Sequence, residues 1–197
     1  MTRLNATRLR SERGQSILEF AMMLPLVIVL VLGVTEISYA LLDQHVVTKL
    51  TREGSNLISR DTSLQDASTA LRSMSTRPVD FSGGNSKLIF SVILRVATTG
   101  ASNFGRDVLY QRYEYGGALG SSMLTTRGAG SFGGPPEYQA TNPNNDTSLQ
   151  ITNLPANFLV NGGMMYVTEI YTRHTLITPF DRFGITIPST LYSIAYF

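Results

Sequence analysis

The stretch GQSILEFAMMLPLVIVLVLGVTEISYALL, residues 14–42, decides how this chain must be read. Residues 20–34 carry no charge, and apolar character resumes after Thr35 and Glu36 with Ile37, Tyr39, Ala40, Leu41 and Leu42. A helix rises ~1.5 Å per residue, so it needs about 20 mostly apolar residues to cross the ~30 Å hydrocarbon core of a bilayer. Residues 17–42 meet that length, with Glu19 and Glu36 as their charges. Arg3, Arg8, Arg10 and Arg13 precede the run, and the positive-inside tendency then keeps the N-terminus in the cytoplasm and sends the rest across. The expected organisation is a basic cytoplasmic leader at 1–14, a transmembrane helix at 15–42, a helical stem at 43–76 and an exported β-rich domain at 77–197. A conventional signal peptide would need a small-residue cleavage site after the apolar run. Ser38-Tyr39-Ala40 is such a site, but it falls late and directly after Glu36.

Charge is distributed in keeping with this division. The first 14 residues hold four arginines against Glu12, and the remaining 183 hold 12 basic and 13 acidic residues, a net of −1. The overall +2 therefore belongs to the leader, whereas a nucleic-acid-binding domain needs Lys and Arg clustered on its own surface. Charged residues are 15% of the chain, below the roughly 25% of ordinary soluble domains. With no cysteine in the sequence, disulfide frameworks, zinc-thiolate sites and thiol catalysis are excluded.

Glu19 is the physically odd residue. A carboxylate inside a membrane helix costs up to roughly 2.5–3.5 kcal/mol at the centre and less near the interface, so an ionisable group kept there is a functional candidate. It lies five positions beyond Gly14, where the basic leader ends. Cutting between Gly14 and Gln15 would place a new α-amino group close to Glu19, as a counter-charge in the same or a neighbouring chain. Pro25, inside the helix, removes a backbone donor and favours a kink.

This arrangement resembles the type IV prepilins: Gly14 before the cut, Gln15 first in the mature chain, Glu19 fifth and Phe20 after it. The run from Gly14 to Ala21, then Pro25, Gly33 and Glu36, with Arg52-Glu53-Gly54 beyond, is similar to the TadE family of tight-adherence, type IVb-like pili. The resemblance implies a bacterial inner-membrane protein whose leader is removed by a prepilin peptidase and whose Glu19 and Phe20 help to dock subunits. It also implies partners among other pilins, the assembly platform and the lipid bilayer. Main subunits of such pili are far shorter than 197 residues, so the expected role is that of a minor pilin or pseudopilin.

Beyond the membrane, Val46, Val47, Leu50, Leu57 and Ile58 recur at helical spacing, which continues the first helix to about residue 59. A second helix is expected over 64–74, capped by Asp61, Thr62 or Ser63 and stopped before Arg77-Pro78. Strand patterns follow at 87–97 (KLIFSVILRVA) and 107–115 (DVLYQRYEY), an antiparallel hairpin across the glycine-bearing segment 100–105. Residues 116–162 read as a long, partly mobile surface excursion rich in Gly, Ser, Pro and Asn. A strand at 164–177 alternates Tyr166, Thr168, Ile170 and Thr172 against Met165, Val167, Glu169 and Tyr171, and a last strand covers 185–197 after a turn at 181–184. The fold class is α+β: a long N-terminal transmembrane helix packed on a small antiparallel sheet of about four strands, the pilin-like arrangement that the resemblance implies.

Other motifs lack their context. Residues 128–133 spell G-x-G-x-x-G, but no strand leads in and Gly134-Pro135-Pro136 follows, where a dinucleotide site needs a helix. His45 and His174 have no suitably spaced partners for a metal site and read as single surface or interface histidines. No catalytic set, cofactor or small-molecule substrate is expected. The rival reading is a permanently anchored, unprocessed adhesin or binding module, with recognition carried by 116–162 and the nine tyrosines.

Overall fold

The structure is a computed structural model that describes residues 5–155, 158–178 and 189–197, and the side chains from 14 onward. Helix α1 spans Asn5–Ile58 and α2 spans Leu64–Met74; strands β1 (Ser86–Arg95), β2 (Asp107–Gly116), β3 (Met164–Arg173) and β4 (Thr190–Tyr196) follow, with a 3-10 turn at Thr147–Leu149. The turn expected at 181–184 and the start of the last strand at 185–188 lie outside the described residues, as does Arg3. The chain divides into two compact units, Met1–Leu41 with Leu176–Ile187, and Leu42–Thr175 with Pro188–Phe197.

In the first unit, α1 presents its apolar side chains outward: Phe20, Met22, Leu26 and Val34 are all exposed. An unbroken helix satisfies its own backbone groups, which is what hydrocarbon demands. Thr35 and Ser38 hide their hydroxyls by donating to the carbonyls of Val31 and Val34, each at 2.8 Å. Pro25 lies inside α1, which is helical on both sides of it. Among the described residues one helix is long and apolar enough to cross a membrane, as expected for a single-pass protein.

The second unit is a four-stranded antiparallel sheet of order β2-β1-β3-β4. β1 is central, and only Lys87 and Leu94 along it are not fully buried. Its period-2 alternation sends Leu88, Phe90 and Val92 to one face, where they meet Val47, Leu50 and Ile58 of α1, Leu64, Ala67 and Leu71 of α2, and Ile170 of β3. Gly54 permits a close approach of α1 to the sheet. A Cβ there would stand 2.7 Å from Thr168 Cγ2, 3.0 Å from Thr168 Oγ1 and 3.1 Å from Phe90 Cε1. α1 ends at Ile58, and Asp61 turns the chain with a left-handed φ of 58°, a conformation that Asp tolerates better than most residues. Ser63 then caps α2: its Oγ accepts from Asp66 N–H (3.1 Å) and donates to Asp66 Oδ2 (2.8 Å). β1 and β2 pair as the predicted hairpin, with a register shift that leaves Tyr110 as the extra residue of a bulge.

Residues 116–162 do not hang free of the sheet. Leu124 joins Ile93, Met165 and Val167 in a second apolar cluster, and Leu149 and Ala140 join Val96 and Val108 in a third. Short bridges tie Gln150 to Val108, Gln139 to Gln111 and Ile151 to Thr126, so the segment lines the free edge of β2 and covers the second sheet face. Leu124, Ala140 and Leu149 of this segment are buried, whereas Met123, Phe158 and Val160 are exposed.

Candidate functional site

The residues singled out at the cleavage motif all sit on α1. Gly14 and Gln15 are within the helix, Glu19 and Phe20 are exposed, and Gln15 Nε2 donates to Glu19 Oε1 at 3.0 Å. Gln15 and Glu19 thus share one face, one helical turn apart. Space around Gly14 is open, with no atom within 4 Å of a Cβ placed there.

The second carboxylate of the apolar helix behaves differently. Glu36 is only 1% exposed. Its Oε2 accepts from the backbone N–H of Ile177 (3.2 Å), the N–H of Thr178 (2.8 Å) and the hydroxyl of Thr178 (2.6 Å). All three groups belong to the first unit. Glu36 therefore clasps the β3–β4 connection to α1. Sequence reading flagged it only as an interruption of the span and a match to the family pattern, because nothing local announces a partner 142 positions away.

Two more polar fixtures hold the second unit. His174 Nδ1 lies 2.6 Å from Asp43 Oδ2 and the imidazole is buried, so this histidine is an internal link from β3 to the stem of α1, whereas His45 is exposed. Glu169, fully buried on the sheet, accepts from Ser122 Oγ (2.5 Å), Met123 N–H (2.8 Å) and Tyr192 Oη (3.2 Å). Burial, together with the negative charge of Glu169, pushes the Tyr192 phenol far above its ordinary range. No group of three His, Cys, Asp or Glu side chains positioned for a metal occurs among the described residues. The G-x-G-x-x-G run is packing: a Cβ on Gly130, whose φ is +66°, would stand 2.3 Å from Leu149 Cδ2.

One exposed apolar helix among the described residues, together with an α+β domain, is consistent with a single-pass membrane protein. Residues 14–56 match the family model described as TadE-like protein. The match begins at Gly14 and includes Glu19, Phe20, Pro25, Glu36 and Gly54. A TadE-like segment suggests a protein associated with a tight-adherence pilus and with the membrane. No curated protein and no solved structure matches the chain.

Proposed function

We propose that the chain is a minor pilin or pseudopilin that supports biogenesis of a tight-adherence pilus, without enzymatic activity of its own. What carries this reading is the position of the TadE-like match, which starts at Gly14 and runs along the exposed apolar helix. The leader stays in the cytoplasm, a prepilin peptidase cuts between Gly14 and Gln15, and the exported domain is held outside the inner membrane. In the uncut chain the scissile bond lies inside α1, so the helix must open locally at Gly14 before cleavage. Glycine lowers that cost, being about 1 kcal/mol poorer than alanine in a helix. After the cut, Glu19 pairs with the amine of Gln15 in a neighbouring pilin or its own chain, and Phe20 packs against the next helix.

N-terminal mass measurement on the protein from native membranes, with and without the peptidase, tests processing. The expected start is Gln15 in the first case and Met1 in the second. A Met1 start with the peptidase present would favour the permanently anchored adhesin, and a start at Leu41 would mean a secreted domain. Glu19→Ala should leave cleavage intact and lower piliation; full piliation in that variant refutes the docking role.

A further inference from the structure

A cleft of about 380 Å³ opens within the second unit, where the β1–β2 hairpin meets residues 127 and 150–155. That volume suits a ligand of roughly one or two sugar rings. Three guanidiniums line the cleft, those of Arg95, Arg106 and Arg127, against one carboxylate, Asp107. Arg95 and Asp107 satisfy each other: Nη1 stands 3.2 Å from Oδ1, and their side chains are 10% and 9% exposed. Arg106 and Arg127 are exposed and make no ion pair among the described residues. The cleft therefore carries two positive charges in excess, in a chain that beyond its leader is net −1. General basicity does not account for this concentration.

The walls are preformed. Val96 N–H donates to the Arg106 carbonyl (3.0 Å), Arg127 N–H to Gln150 (3.0 Å), Ile151 N–H to Asp107 (2.9 Å) and Thr152 N–H to Thr125 (2.8 Å). Both free arginines thus rise from backbone pinned by hydrogen bonds. Thr152 Oγ1 donates to the Thr125 carbonyl at 3.1 Å, which leaves its lone pairs for a ligand hydroxyl. Ile151, Leu154 and Pro155 supply an aliphatic wall. Among the described lining residues there is no aromatic ring on which a nucleobase would stack.

We propose that this cleft binds an acidic saccharide. Its carboxylate or phosphate is held by Arg106 and Arg127, planar donors that match an oxyanion's geometry, and its ring lies against the aliphatic wall. The site needs only the exported domain and is independent of whether the chain enters a pilus.

Calorimetric titration of the full chain in detergent micelles tests it, with galacturonate and glucose 6-phosphate as probes and glucose as the neutral control. Saturable binding of at least one acid is expected, and the tighter of the two identifies carboxylate or phosphate as the natural group. Glucose should bind at least about tenfold more weakly, and so should the acids to the Arg106→Ala/Arg127→Ala variant, a difference of about 1.4 kcal/mol. The Arg106→Lys/Arg127→Lys variant, which keeps the charge and loses the fork, should fall between. Arg60→Gln, an exposed arginine outside the cleft, should bind as the parent does. No binding of either acid, equal binding of glucose, or equal loss in Arg60→Gln overturns the proposal. So does undiminished binding in the double alanine variant, provided its melting temperature matches the parent's.

Discussion

Two carboxylates lie on the apolar half of α1, and their surroundings give them opposite lives. Glu19 is exposed and accepts a hydrogen bond from Gln15 one turn before it, on a face open to another chain. Glu36 is spent within its own, accepting two backbone N–H groups and a hydroxyl. Glu36→Ala leaves those donors without an acceptor in an apolar setting, at a cost of about 1–3 kcal/mol for each group. Amide exchange at Ile177 and Thr178 should then accelerate in micelles, while Glu36→Gln, which keeps one acceptor oxygen, should show a smaller change. Unchanged exchange in Glu36→Ala would mean that the clasp does not hold the connection. Glu19 was legible because cost and position are both local: a charge in an apolar run, five residues after a glycine. Glu36 carries the same charge in the same run, yet its role depends on Thr178, and one sequence does not record which distant residue folds back.

At the level of elements, the periodicities were sufficient for both helices and for the β1–β2 hairpin. Ser63 was among three candidate caps, and the reciprocal bond with Asp66 distinguishes it. Gly54 is harder to read. A glycine in a helix interior costs stability, and in sequence Gly54 stood only as part of the Arg52-Glu53-Gly54 run of the family resemblance. The structure gives the reason for it, since both branches of Thr168 lie against the place where a Cβ would go and rotation of that side chain offers no relief. Gly54→Val should lower the unfolding free energy by about 1–3 kcal/mol, the usual effect of overpacking a filled core, despite valine's better helix propensity. Denaturant unfolding of the solubilised chain measures this, and a stabilised Gly54→Val would show that the helix shifts off the sheet without penalty. That the loop 116–162 packs on the sheet was not legible, because composition reports what a loop is made of and not what it covers. Leu124 and Leu149 are isolated in sequence, yet each completes an apolar cluster. The arginine cleft was hidden for the same reason: Arg95, Arg106 and Arg127 come from three separate stretches and meet only when that segment folds over the hairpin.

On the scale of the whole molecule, all three apolar clusters belong to the second unit. The membrane half of α1 contributes nothing to them. A chain that begins at residue 42 should therefore stay soluble without detergent and melt cooperatively, with circular dichroism as the readout. A non-cooperative or aggregated product would show that the stem needs its membrane half to hold its helix. The sequence anticipated this separation through the contrast between 17–42 and everything after it, the strongest signal the chain contains.

The central place of β1 also has a kinetic side. Phe90 finds Tyr113 across the hairpin early, but its other neighbour, Thr168, emerges only after the whole 116–162 segment has been delivered. Closing so large a loop carries an entropic cost that grows with its length, and non-local strand pairing is intrinsically slow. Until β3 arrives, LIFSVIL (88–94) presents an apolar face and an unpaired edge, the hallmarks of an aggregation template. Productive folding of this protein is thus a race between the arrival of β3, after residues 96–163, and self-association of a single strand.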